Sequence, residues 1–391
     1  MRHYKAATAA DGPLKLVQVN YAFTPFDSPD RLLDAYHTLT GWSDAAAGAG
    51  LSVSVVQAFS TNAVRRRGRV DYLFCDSRGV HGLSPAMLHA AVAACEPDIV
   101  HVNGLDAPVR VWRLRQRLPA HVALVVQDHA SVAPRRLSLK APFRRRAMRA
   151  ADAYLFTASE QAEPWRSAGF ITDAQPVHAV LEASTEIRPV HRGRARERSG
   201  IDGAPAILWV GRLDAVKDPL TVLAGVEQAL ALLPAATLTM VFGDDWLLPV
   251  VQARISASPV LSARVRLAGR VPRAQLAAWY SAADLFVLGS RRESCGYALL
   301  EACACGAVPV VTDIPSFRAI TGDGAIGTLW PVGDSAALAS ALIEIGQRDL
   351  EFERRRTRAY FDRHLSWSVV GAQARAVYET VVEARRRGGG H

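Results

Sequence analysis

Two glutamates, Glu293 and Glu301, stand eight positions apart on either side of Gly296. Leu285 to Leu288 form a short apolar run fit for a buried strand, and Leu299, Leu300, Cys303 and Ala304 give the apolar face of a short helix. Gly306 stands where that helix should stop. Gly296 opens it, so the backbone N–H groups around Gly296 and Tyr297 can receive a phosphate. Helical side chains lean toward the N-terminus, which brings Glu301 to a group lying beside that phosphate. Glu293, in the preceding loop, reaches the phosphate's other side. A diphosphate flanked by two polyols has the layout of a nucleotide-sugar. A second segment points the same way. Ala206 to Val210 is an apolar strand running into Gly211-Arg212, then Lys217 and the helix starters Asp218-Pro219. A glycine at a strand end lets another group approach the backbone, and the Arg212 and Lys217 cations suit a diphosphate.

Positioning these groups requires strands that alternate with helices. Strands are expected at Lys15–Tyr21, Leu51–Phe59, Val70–Cys75, Asp98–Val102, Val122–Gln127, Ala153–Phe156 and Val177–Leu181. Ser28-Pro29 and Ser84-Pro85 open helices, and Gly169 closes one begun near Ser159. A polar, Arg- and Gly-rich stretch, 188–204, reads as a linker. Strands then restart near Ile207, Leu238, Val265, Leu285, Val308 and Ile326. The fold class is α/β, with two doubly wound, Rossmann-like domains spanning 1–187 and 205–364. In such sheets ligands bind beyond the carboxyl ends of the strands, so the site is the cleft between the domains. Gly243 and Asp244 follow a strand and belong to that rim. On the other side, Asp128-His129 follow the strand ending at Gln127. Asn103 lies beyond its own strand end, with His101 a weaker version of the same argument, and Tyr21 completes an acceptor-side set with Asn103 and Asp128. After Ser366-Trp367, Val370, Ala374, Val377 and Val381 recur at helical spacing.

Glu293-x7-Glu301 followed by Ala-Cys-Ala-Cys-Gly-Ala-Val-Pro-Val-Val-Thr resembles the donor-binding signature of family 4 glycosyltransferases, retaining enzymes with the GT-B fold. Gly211-Arg212 with Lys217 resembles that family's Gly-Arg-x(n)-Lys motif. The resemblance implies that Glu301 binds ribose hydroxyls, that Glu293 contacts the transferred sugar, and that Arg212 and Lys217 neutralise the leaving diphosphate. Gly211, Gly296, Tyr297 and Ala298 fall to the donor site with them. Val271 matches the position whose backbone meets the nucleobase, and His129 resembles the cleft histidine near the reaction centre. It also implies transfer with retention from a nucleotide-diphosphate-sugar to a hydroxyl acceptor, no obligatory cofactor or metal, and a C-terminal helix (365–391) that returns to the first domain, anchored by Trp367. The chain departs from the family at Asn20–Asp27, which lacks paired glycines, and at Leu181–Thr185, which replaces an Asn-Gly turn. A phosphorylase or epimerase of the same fold, or a catalytically silent nucleotide-sugar-binding protein, therefore stays open beside transfer.

Composition fits two substantial cores: of 391 residues, 50% are hydrophobic and 21% charged. No apolar run approaches the ~20 residues that span a bilayer, and Met1 to Leu14 lacks a signal peptide's apolar core. Five scattered cysteines show no metal-type pairing, and buried filler in a reducing cytosol is the expectation. The net charge of +9 is uneven. One cluster is Arg65–Arg67 with Arg69. Another is Arg135–Arg149, with Leu137, Leu139, Phe143 and Met148 among its cations, which leaves open a solvated face or peripheral contact with an anionic membrane. Nucleic acid is excluded as a partner by the lack of interleaved stacking aromatics.

Overall fold

The computed structural model describes residues 12–77, 85–134 and 139–388. Two parallel sheets organise it. The first contains β1 (Lys15–Asn20), β2 (Ser52–Phe59), β3 (Ala63–Arg67), β4 (Val70–Asp76), β5 (Ile99–Asn103), β6 (Ala123–Gln127), β7 (Ala153–Phe156) and β8 (Val177–Ala179), in the order β3-β4-β2-β1-β5-β6-β7-β8. The second contains β9 (Ala206–Gly211), β10 (Thr237–Phe242), β11 (Val265–Gly269), β12 (Leu285–Leu288), β13 (Val308–Thr312) and β14 (Thr328–Trp330), in the order β11-β10-β9-β12-β13-β14. The central strands are continuous apolar runs because helices cover both faces of each sheet. Strand order reverses between β1 and β5 in one sheet and between β9 and β12 in the other, which places a crevice at each reversal.

Local chemistry explains the helix boundaries. Ser28 accepts from the Arg31 amide at 3.2 Å ahead of Pro29, and Asp218 caps helix Pro219–Leu230 in the same way. Gly169 closes the turn after helix Glu163–Ser167 with φ 73°. The expected helix at Pro85 is present as Pro85–Ala94, while Ser84 lies outside the described residues.

Two features differ from the sequence reading. The Arg65–Arg67 cluster is an antiparallel edge strand, and its guanidiniums pair with Asp30, Asp71 and Asp34 at 3.1–3.3 Å. Edge strands carry such charge without loss, since one rim of the strand stays in water. The stretch 188–204 holds a helix, Arg192–Ser199, whose Arg192 and Arg196 reach the buried Asp284 carboxylate at the amino end of β12. Among the described residues, no helix is long and apolar enough to cross a membrane.

The last helix, Trp367–Gly388, runs back onto the first domain. Its buried face (Val370, Ala374, Tyr378, Val381, Val382) packs on helix His37–Gly48. Gly371 passes so close to Ala45 that a Cβ there would lie 2.3 Å from the Ala45 carbonyl oxygen, and the Trp367 indole occupies the space beside Gly41. Tyr378 Oη bonds His101 Nδ1 at 2.5 Å in a fully buried contact. His101 is therefore a core residue, and burial pushes its pKa down to about 3.

Candidate functional site

The second sheet's crevice carries charge. Lys217, in the loop after β9, forms an ion pair with Glu293, in the loop after β12, and the Ser290 hydroxyl donates to the same carboxylate at 2.7 Å. Both side chains are about 15% exposed, so the pair is only partly screened by water. Gly296 caps helix Tyr297–Ala304 with φ 113°, and a Cβ there would lie 2.7 Å from the Phe317 ring; glycine is required on both counts. The first intrahelical amides to bond are those of Leu299 and Leu300, back to the Gly296 carbonyl, which leaves the Tyr297 and Ala298 amides at the helix entrance. Glu301 is 6% exposed and accepts from Tyr280 Oη at 2.9 Å and Arg273 Nη1 at 3.0 Å. Burial raises its pKa against the pull of those partners.

Arg212 takes a different acidic partner from the Lys217 side chain. It is 59% exposed and pairs with Asp214 in its own loop at 3.2 Å. Gly211 has no left-handed backbone; its lack of a side chain leaves room for the Trp209 ring, 3.1 Å from where a Cβ would sit. Gly243 and Asp244 follow β10, and the Asp244 carbonyl accepts the Leu213 amide at 2.9 Å, which ties their loop to that of Arg212. Val271 follows β11 and packs, half-buried, against the core.

The first sheet's crevice is lined by amides, rings and apolar side chains, with four charged residues among them. Asn20 and Asn103 end β1 and β5 in register, and Asn103 Nδ2 donates to Asn20 Oδ1 at 2.6 Å across the strand reversal. His129 Nε2 lies 3.0 Å from Asn103 Oδ1, and Nδ1 lies 3.1 Å from Glu182 Oε2. These groups border a cavity of about 670 Å³ with Gln18, Gln57, Trp42, Tyr36 and the half-buried Arg110 and Arg144. Tyr21 contributes its ring alone, because its hydroxyl is bonded to the buried His89 at 2.8 Å. Asp128 is withdrawn from the cavity: it accepts the Ser131 amide at 3.0 Å and shapes the turn carrying His129. Burial lifts its pKa to about 6.

A second cavity, about 610 Å³, lies between the domains and is lined by Glu301, Tyr297, Arg273, His37, Glu186 and Trp367, among others. The two cavities share Tyr36 and Thr38. Lys217 and Glu293 lie outside both linings, engaged with each other.

Sequence reasoning missed three residues. Tyr280 and Arg273 hold Glu301 from a helix that gave no local signal. Glu182 was visible only as a departure from an Asn-Gly turn, yet it sits where the two domains meet.

Residues 204–348, most of the second domain, match the model of the family described as Glycosyl transferases group 1. The second domain is a group 1 glycosyl transferase domain. A phosphatidyl-myo-inositol mannosyltransferase of Mycobacterium leprae is 36% identical over 183 residues, 45% of this chain and 46% of that protein. The protein of the same name in Mycolicibacterium smegmatis is 33% identical over 230 residues, 57% of this chain and 56% of its own length. The chain thus spans about half the length of the curated relatives it matches. The fold likeness runs further than this glycosyl transferase domain. A sucrose-phosphate synthase from Thermosynechococcus elongatus superposes with a TM-score of 0.70 at 18% identity, over 95% of this chain and 100% of that one. Two Rossmann-like domains across a cleft, with a terminal helix crossing back, make this a GT-B fold.

Proposed function

We propose that the protein transfers a sugar from a nucleotide-diphosphate-sugar to a hydroxyl acceptor with retention of configuration. The observation that carries this reading is the Lys217–Glu293 pair beside the Gly296 helix entrance, at the strand reversal of a glycosyl transferase domain. Diphosphate oxygens would take Lys217, the exposed Arg212 and the helix amides, and a sugar hydroxyl would take Glu293. Glu301 and the neighbouring interdomain cavity would hold the ribose. Fixed positive potential at a leaving diphosphate stabilises charge as it develops, which is where such groups lower a barrier most. The bond from the anomeric carbon to the phosphate oxygen breaks while the acceptor oxygen bonds the same face, and the acceptor proton passes to the departing phosphate. The acceptor would occupy the 670 Å³ cavity, next to His129 and Asn103.

Incubation with uridine-, guanosine- and adenosine-diphosphate sugars, reading nucleoside diphosphate release, tests the reading. Slow release without acceptor, with one base preferred, supports transfer; binding without turnover for every donor and acceptor supports a silent binding protein instead. Phosphate-dependent release of a sugar phosphate would mark a phosphorylase, and a changed sugar on an intact nucleotide an epimerase. Arg212→Ala, Lys217→Ala and Glu293→Ala should each remove most turnover while leaving the far-ultraviolet circular dichroism unchanged. Near-normal turnover in the first two would sink the diphosphate assignment.

The basic stretch supports a peripheral membrane contact on a cytoplasmic protein. Helix Ala141–Met148 exposes Phe143 (51%), with Leu139 and the exposed Lys140, Arg146 and Arg149 on the same stretch, while Arg144 lines the 670 Å³ cavity. Arg145 turns inward onto the Ala168 carbonyl and the Phe170 ring, and Arg135 and Arg136 lie outside the described residues. Salt-sensitive sedimentation with phosphatidylglycerol vesicles, lost in Phe143→Ser/Arg146→Ser, is the expected result.

A further inference from the structure

Glu182 belongs to neither sheet. It follows β8 in the connector between the domains, where the Val180 amide bonds the Phe156 carbonyl and holds the connector against β7. Its side chain is 2% exposed, and among the described residues His129 is the only basic group paired with it. A carboxylate so deeply buried is costly unless its oxygens find partners. One oxygen is hydrogen-bonded and the other makes only a charge contact, and the two face opposite sides of the cleft. Oε2 lies 3.1 Å from His129 Nδ1, at the carboxyl end of the first sheet. Oε1 accepts from Ser294 Oγ at 2.6 Å, in the loop immediately after Glu293.

That loop is held a second time from the first domain. Gln161, in the turn after β7, donates from Nε2 to the Glu293 carbonyl at 2.8 Å and the Ser294 carbonyl at 2.9 Å. Gln161 therefore grips the backbone of the loop, while Glu182 grips its side chain and sets its other oxygen as a charge 3.1 Å from the acceptor-side histidine.

We propose that Glu182 is a positioning residue that sets the register between His129 and the Glu293–Ser294 loop, and so between the acceptor side and the donor side of the cleft. The span of the side chain does this, with one oxygen for each domain. The kinetic part rests on the transfer reading above; the structural part does not.

Hydrogen exchange and turnover measured on the same full-length variants separate the two. Glu182→Ala and Glu182→Asp both lose the span, the second while keeping the charge. Each should speed amide exchange in 291–296 and 129–131 together, by about tenfold, with the strands of both sheets unchanged. Glu182→Gln keeps the length, can accept from Ser294 and donate to His129, and should exchange as the wild type does. Ser294→Ala should loosen 291–296 alone. Using the donor that releases nucleotide fastest, Glu182→Ala and Glu182→Asp should lower kcat about 30- to 100-fold with donor KM within about twofold, as expected when reacting groups are misplaced rather than lost. Glu182→Gln should recover most of that kcat. Wild-type exchange in Glu182→Asp, loosening confined to one segment in Glu182→Ala, or a change in donor KM alone would each overturn the proposal. A wild-type protein that releases no nucleotide from any donor would defeat the transfer reading, and the exchange results would still decide the role of Glu182.

Discussion

The two crevices occupy equivalent places in two sheets built on the same plan, and they are furnished differently. At the reversal between β1 and β5 the strand ends are bridged by Asn103 and Asn20, a neutral amide pair. At the reversal between β9 and β12 the following loops are bridged by Lys217 and Glu293, a part-buried ion pair. The amide-bridged crevice opens into a cavity of about 670 Å³ whose walls mix aromatic rings and amides with the charges of Asp106, Arg110, Arg144 and Glu182. The ion-paired one sits beside a helix entrance built on a glycine that no other residue can replace without strain. A shared fold thus supplies two kinds of recognition: amides and rings suit a polyol by shape, and the lysine beside a helix entrance suits a leaving group that becomes more negative as it departs.

The largest expected break of this contrast is Lys217→Met. Under the charge assignment it lowers nucleotide release by about 10²–10³, read by coupled assay of nucleoside diphosphate. Asn103→Ala, at the equivalent place in the other crevice, should leave acceptor-independent release within about twofold. Its effect should fall on transfer, as a roughly tenfold rise in acceptor KM from one lost hydrogen bond and its unpaired neighbours. Equal effects of the two variants on release would erase the distinction between the crevices.

Gly296→Ala probes the helix entrance itself. With φ at 113° and the Phe317 ring 2.7 Å from the new Cβ, a destabilisation of about 1–3 kcal/mol is expected in chemical denaturation. Unchanged stability would mean that the entrance relaxes freely and is not preorganised.

The smallest expected effect is one of pH. Burial, ahead of the nearby Glu182 charge, lifts the Asp128 carboxyl from 3.8 to about 6, while the Ser131 amide and His129 pull the other way. The folded state therefore holds the extra proton between about pH 4 and 6, and the stability contributed by this group falls as pH rises through that window. Asp128→Asn should flatten that part of the stability profile and gain most on the wild type above pH 6. A parallel profile would show that Asp128 titrates normally.

Most of the strands could be read directly, because buried parallel strands are runs of Val, Leu, Ile and Ala bounded by glycine and proline. Strand β3 could not: three consecutive arginines look like a surface cluster until acids from an earlier helix and a neighbouring strand are placed opposite them. Helix Arg192–Ser199 was hidden for a related reason, since its apolar content is small and its arginines are held by Asp284, far away in sequence. At the site, Glu293, Lys217 and Gly296 were legible because each lies within a few residues of a strand end or helix start. The partners of Glu301, the different acids taken by Arg212 and Lys217 and the bridge at Glu182 depend on contacts spanning up to 112 residues or on a choice between nearby acids, and local pattern carries no information about either. Tyr21 and His101 show the converse. Their positions suit a cleft, but the Tyr21 hydroxyl is taken by His89, and His101 is buried with its Nδ1 bonded to Tyr378.

The helix Trp367–Gly388 also affects how the protein is made. It supplies Tyr378 to a fully buried contact with His101 in the first domain, yet Tyr378 leaves the ribosome 199 residues after Ala179, where the first sheet's last strand ends. At ~5–20 residues per second that is a delay of about 10–40 s. Throughout that interval the first domain exists without one of its covering layers, its apolar face on helix His37–Gly48 open to water or to chaperones. The second domain has time to fold in the meantime. The first domain is then closed by a helix made after the whole second sheet, and the two halves of the cleft become fixed to one another only once that helix has emerged.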